Sequence, residues 1–156
     1  MCEETAYHEA AHAFMALHVG AKVVAVTIAP DFDDGPERHG ETTVQWLPDG
    51  SSSPKERAAK EVLIALAGPV GEMIHRGEPL HPGFVPEWFA DWRSAWELSA
   101  QIVPDERKRL AYLECTTAEV HKLMSRDDVW ASFALVVDQL LAHEHLEGWQ
   151  IEEIFE

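Results

Sequence analysis

The sequence predicts an α+β fold, mostly helical, with an HExxH-bearing helix, a small N-terminal sheet or hairpin, and a C-terminal helical bundle. Three observations predict it. Long segments carry apolar residues at helical spacing between capping signals, two short β-branched runs fall before residue 50, and the last third reads as helix throughout. At 156 residues the chain fits one domain spanning 1–156, long enough to bury a core.

Glu3 to about Val19 is rich in Ala, Met and Leu without Pro or Gly, which suits a helix that Gly20 stops. Lys22–Ile28 (KVVAVTI) reads as a strand, and Thr42–Leu47 (TTVQWL) as a second. Between them, Pro30–Gly40 reads as a solvated acidic loop turned by Asp31, Asp33, Asp34, Gly35 and Pro36. No twelve-residue calcium pattern follows those aspartates. After a second loop, Pro48–Ser53, the start of a helix is well marked: Ser53 caps, Pro54 takes the first position and Glu56 completes a capping box. That helix runs to about Arg76 with Val62, Leu63, Leu66, Val70 and Ile74 on one face, and Gly68-Pro69 inside it predicts a bend or a close contact with a neighbouring element. Gly77–Pro86 is loop. Three helices follow, at roughly Trp88–Ile102, Asp105–Met124 and Asp127–His143, the last opened by Ser125 with Asp128, and the chain ends in a short turn after Gly148.

The net charge of -16 argues against nucleic acid and anionic membranes as partners. The longest nearly apolar stretch, Ala13–Pro30, is interrupted by His18, Gly20 and Lys22, so no membrane span is expected. Cys2 and Cys115 form no CxxC pair or disulfide framework, and the N-terminus is acidic rather than signal-like. A cytoplasmic protein is the expectation.

The segment His8-Glu9-Ala10-Ala11-His12 is an HExxH. On a helix, side chains four apart share a face, so two imidazoles there can converge on one zinc ion. Glu9, a quarter-turn away, can reach a water activated by the metal and act as catalytic base. Nine His and nineteen Glu make a chance match about a 6% event on composition alone. The helical context and the small neighbours Ala10 and Ala11, which let another element pack close, favour a metal site. A third ligand is needed to leave one position open. Glu72, His75, His81, Asp91, His121 and the His143/His145 pair all offer one, and spacing does not choose among them.

In order along the chain, TAYHEAAHAFMALHVGAKVVAVTIAP, HGETTVQWLP, KERAAKEVLIALAGPVGEMI, FADWRSAWELSAQIV and LLAHEHLEGWQIEEIF cover nearly its whole length. Together they resemble the peptidase domain of the FtsH family of zinc proteases, where AYHEAGHA leads into a VTI.P strand and a GGR.AEE-type helix follows. The resemblance implies one zinc per chain held by His8, His12 and Asp91, with Glu9 as catalytic base and Glu72 in a supporting role. A carboxylate at a helix start is stabilised there in its ionised form. It further implies a zinc-dependent endopeptidase acting on polypeptide, with peptide pairing along a sheet edge near Thr42–Leu47. The alternative is a non-catalytic zinc-binding relative serving as a binding or adaptor module.

Departures from the family pattern carry consequences. The middle glycine of HEAGH is Ala11, expected to narrow the space beside the metal. The GGR.AEE segment reads Ala67-Gly68-Pro69-Val70-Gly71-Glu72-Met73, without the arginine, and Trp88-Phe89-Ala90 replace the small polar residues before Asp91. No GxxxxGK[ST] of the family's AAA ATPase module occurs in the chain. Substrates are therefore expected to be flexible or already unfolded, handled by the chain alone, as a homo-oligomer, or with a separate ATPase or adaptor partner. Trp88, Trp92 and Trp96 form an i, i+4, i+8 stripe that reads as core. His143 and His145, two apart, read as surface residues.

Overall fold

The computed structural model of the chain describes residues 2–29, 40–48 and 52–156. Among them are six α-helices and a three-stranded antiparallel sheet, the mostly helical α+β class. None of the helices is long and apolar enough to cross a membrane. The acidic loop with Asp31, Asp33, Asp34, Gly35 and Pro36 lies outside the described residues, as do 49–51 of the following loop.

Helix α1 (Cys2–His18) is the Ala-rich segment, ended by Gly20 at φ 91, a conformation glycine adopts without strain. Its face of Ala6, Ala10, Ala13 and Met15 is buried against the sheet and α5. Strand β1 (Lys22–Thr27) is central, flanked by β2 (Glu41–Gln45) and β3 (His145–Glu147). Val26 pairs with Thr42 on one side and Leu146 on the other. A register shift between Val23 and Ala25 leaves Val24 exposed while Val23 and Val26 both point into the core. Strand β2 stops at Gln45, short of the expected Leu47, and forms an edge of the sheet.

Helix α2 (Pro54–Arg76) begins as the sequence predicts: the Ser53 hydroxyl accepts from the Glu56 backbone N–H at 3.2 Å. It ends at Gly77, φ 73, whose N–H donates to Met73 and Ile74 carbonyls. Two short 3-10 turns, Pro82–Phe84 and Pro86–Trp88, lead into α3 (Phe89–Ser99). This helix is shorter than Trp88–Ile102 because Pro104 disfavours helical backbone at Val103, and the Ser99 carbonyl closes a turn by accepting from Ile102 and Val103. Helix α4 (Glu106–Met124) is capped by Asp105, which accepts from the Lys108 N–H at 3.0 Å.

Two expectations are corrected. Ser125 does not open α5 (Asp127–His143). Its hydroxyl donates back to the His121 carbonyl at 2.7 Å and finishes α4, and Arg126 occupies the cap position of α5. A serine flanked by two helices can serve either end, and here the carbonyl claims it. The C-terminal turn is instead β3 followed by α6 (Gly148–Phe155), opened by a Glu147–Gln150 capping box. Glu144, φ 62, makes the turn from α5 into β3.

The main core joins α1, the sheet, α5 and α6 around Val26, Phe133, Leu140, Leu146 and Ile151. A second cluster of Val62, Leu66, Trp92, Ala95 and Leu113 joins α2, α3 and α4. The α1–α2 contact bridges the two. There Ala11 faces Gly71, at which a Cβ would sit 2.5 Å from the Ala11 methyl. The extra methyl of Ala11 is thus taken up by a glycine on α2 rather than by the space beside the metal motif.

Candidate metal centre

Helical geometry turns His8 and His12 toward α2, with ring centroids 4.8 Å apart. The helices approach closely because Gly68 has no side chain: a Cβ there would lie 2.2 Å from His12 Nε2 and 2.7 Å from His8 Nε2. This is the close contact expected of Gly68-Pro69. Pro69, lacking an N–H, leaves the Ala65 carbonyl without its helical partner. One residue earlier, the Ile64 carbonyl accepts from His12 Nδ1–H at 2.6 Å. His8 Nδ1–H donates to Glu72 Oε2 at 3.0 Å. A carbonyl and a carboxylate only accept, so each Nδ1 carries the proton and each neutral ring presents its Nε2 lone pair to the cleft.

Asp91, in the first turn of α3, brings one oxygen to both rings. Its Oδ2 lies 2.8 Å from His8 Nε2 and 3.3 Å from His12 Nε2. Two lone-pair nitrogens and a carboxylate oxygen this close require a positive charge among them, either protons on the rings or a metal cation. The protein alone answers with protons. Burial opposes charge on His8, but its hydrogen bonds to Asp91 and Glu72 prevail and raise its pKa to about 10. His12 is raised in the same way, burial being outweighed by the Asp91 charge. Asp91 is held well below the ordinary carboxylate range, burial notwithstanding, by His12 and His8. Two imidazoles and one carboxylate form a donor set suited to zinc. The residues fit the metal.

Glu9 also offers an oxygen near the histidines, the three groups presenting atoms within 4.8 Å of one another. Its carboxylate is otherwise engaged. The Thr42 hydroxyl on β2 donates to Glu9 Oε1 at 2.8 Å and lies 3.1 Å from the Glu9 carbonyl oxygen. Gly40 presses from the same side, where a Cβ would fall 2.8 Å from Glu9 Cγ. Glu9 is 7% exposed. Asp91, with one oxygen within 3.3 Å of both Nε2 atoms, could complete the donor set.

Glu72, buried on α2, is satisfied on every side. Oε2 accepts from His8 Nδ1 and from the indole N–H of Trp88 at 2.7 Å, and Oε1 accepts from Arg76 at 2.9 Å. Burial would raise its pKa, but His8, Trp88 and Arg76 together lower it and keep it ionised.

The other ligands that spacing left open lie elsewhere. His75 stacks on Tyr7 at 4.1 Å. His81 pairs with Glu114 at 3.3 Å beside a separate cavity also lined by His121. His143 and His145 are exposed. Of the tryptophan stripe, Trp88 and Trp92 are buried and Trp96 is half-buried against Arg109, but Trp88 belongs to the turn before α3.

His8, Glu9, His12, Glu72 and Asp91 line a cleft of about 970 Å³, within the size range of ligand sites. Its floor is α1 and α2; one wall is β2 with Gly40, Thr42, Val44 and Trp46, and the other is α3 with Ala90, Asp91, Ser94 and Leu98. Sequence reasoning missed the roles of Thr42, Gly40, Trp88 and the Ile64 carbonyl. Only Gly68-Pro69 carried a signal, a helix-breaking pair inside a strongly patterned helix.

In comparisons with known proteins, no family model matches the chain and no curated protein matches it.

Proposed function

We propose that the chain is a zinc-dependent endopeptidase of the FtsH peptidase-domain type, hydrolysing peptide bonds of unfolded or flexible polypeptides. The observation that carries this reading is the meeting of His8 Nε2, His12 Nε2 and Asp91 Oδ2 at one point, with the Glu9 carboxylate held beside it by Thr42. His8, His12 and Asp91 hold one zinc ion per chain. Zinc, when bound, lowers the pKa of a water and polarises a scissile carbonyl. Glu72 and the Ile64 carbonyl keep the two imidazoles in the tautomer and orientation that ligation needs. Glu9 takes the proton of the attacking water and returns it to the departing amine.

Strand β2 supports a polypeptide substrate, since an extended chain can add to a sheet edge and lie past the histidines. Neighbouring residues of an edge strand alternate in pointing their N–H groups outward, so one of Thr43→Pro and Val44→Pro removes a donor to substrate. That variant is expected to weaken cleavage while zinc stays bound; full cleavage by both variants removes the strand-addition idea.

The reading is tested by incubating the zinc-loaded chain with unfolded casein. Cleavage that a chelator abolishes and added zinc restores is the expected result. Zinc bound without cleavage, alone or with a delivery partner, favours a non-catalytic binding or adaptor module.

A further inference from the structure

Trp88 is fully buried, yet its indole N–H is not spent on packing. It donates to Glu72 Oε2, the same oxygen that accepts from His8 Nδ1. A buried indole N–H without a partner is costly, so this bond constrains where the ring can sit. Arg76 closes the group, donating to Glu72 Oε1 while its guanidinium lies 5.5 Å from the Trp88 ring centroid. The other two tryptophans of the stripe are engaged elsewhere, Trp92 against His81 and Trp96 against Arg109.

The position of Trp88 gives the bond its consequence. Trp88 stands three residues before Asp91, where the chain enters α3. One hydrogen bond therefore ties the element carrying Asp91 to the carboxylate that orients His8. His8 on α1 and Asp91 on α3, 83 residues apart in sequence, meet at 2.8 Å in front of it.

We infer that Trp88 is a positioning residue of the metal centre, acting through Glu72 to hold His8 and, through its own place in the chain, to set Asp91. The inference rests on the zinc reading. Loss of an outer partner of this kind typically weakens metal affinity 10–100-fold.

The test is zinc affinity, measured by competition with a chromophoric chelator, for the wild type, Trp88→Phe, Glu72→Ala and the double variant. Trp88→Phe keeps most of the packing and loses the N–H; about tenfold weaker zinc binding is expected. If Trp88 acts through Glu72, the double variant binds about as well as Glu72→Ala alone. Unchanged affinity in Trp88→Phe, or losses that simply multiply in the double variant, overturns the inference and leaves the zinc site standing. A wild type that binds no zinc removes the site itself and the inference with it. Should Trp88→Phe fail to fold, the wild type supplies the readout. One of its six indole N–H resonances must shift on zinc addition and move in Glu72→Ala, and no such resonance is equally fatal.

Discussion

The two sides of the cleft hold their functional groups by different means. On the helical side, α2 and α3 reach the histidines through several groups: the close Gly68 backbone, the Ile64 carbonyl, the half-buried Asp91, and the buried Glu72 with Trp88 and Arg76 behind it. On the strand side, β2 alternates between exposed and half-buried residues and reaches Glu9 through one hydroxyl and one glycine. On the proposed reading the helical side fixes ligand geometry, as a metal demands. The strand side holds Glu9 through the Thr42 hydroxyl, which on the proposed reading leaves a carboxylate able to accept and release a proton.

Equivalent substitutions on the two sides should separate these roles. The largest effect is expected from Gly68→Ala. Alanine normally favours a helix interior over glycine by about 1 kcal/mol. Here its methyl would occupy space within 2.2 Å of His12 Nε2. Zinc affinity is expected to fall by about 100-fold, with cleavage lost in parallel; metal analysis and circular dichroism check that the helix survives. Gly40→Ala is its counterpart, crowding Glu9 Cγ and Thr5 instead of the ligands. It is expected to keep its zinc and lose cleavage by about 10–100-fold, part of the roughly 10²–10⁴-fold that a positioned acid–base group supplies. Equal zinc loss in both variants would erase the distinction between the sides.

Thr42→Val comes next. Removing the hydroxyl that donates to Glu9 should lower kcat by about tenfold at unchanged zinc affinity, with Thr42→Ser restoring most of the rate. A Thr42→Val protein with wild-type kcat would show that the strand side does not position the base.

The smallest effect is one of pH, read as the melting temperature of the metal-stripped protein. His8 is raised from 6.5 to about 10, so its contribution is complete below pH 6.5 and is lost as pH rises through about 10. Asp91 and Glu72 are depressed, so theirs is present above their unfolded values near 4 and is lost as pH falls below that. Stability from this cluster is therefore greatest between roughly pH 4.5 and 6.5. His8→Asn is expected to flatten the alkaline decline, and an unchanged decline would mean that other groups cause it.

The same contrast explains what the sequence could reveal. The helices were legible because periodicity, Ser53, Gly20 and Gly77 are local signals, and the HExxH was legible because four-residue spacing on one helix is local too. Asp91 was not: spacing left several other ligands open, and only the FtsH resemblance singled it out. Thr42 and Trp88 touch Glu9 and Glu72 across 33 and 16 residues, contacts that follow from how the elements pack and leave no mark on neighbouring residues. Strand β3 escaped notice because three residues carry no alternation. Its nearest clue is Gly148, where a Cβ would fall 1.8 Å from the Val23 carbonyl oxygen.

The central claim is that His8, His12 and Asp91 hold a metal while Glu9 does chemistry beside it. Zinc content and casein cleavage, measured together for the wild type and Glu9→Gln, test it most directly. One zinc per chain in both proteins, with cleavage only in the wild type, is the predicted result. A folded, metal-replete wild type without zinc, or a Glu9→Gln protein that cleaves as fast as the wild type, would contradict it.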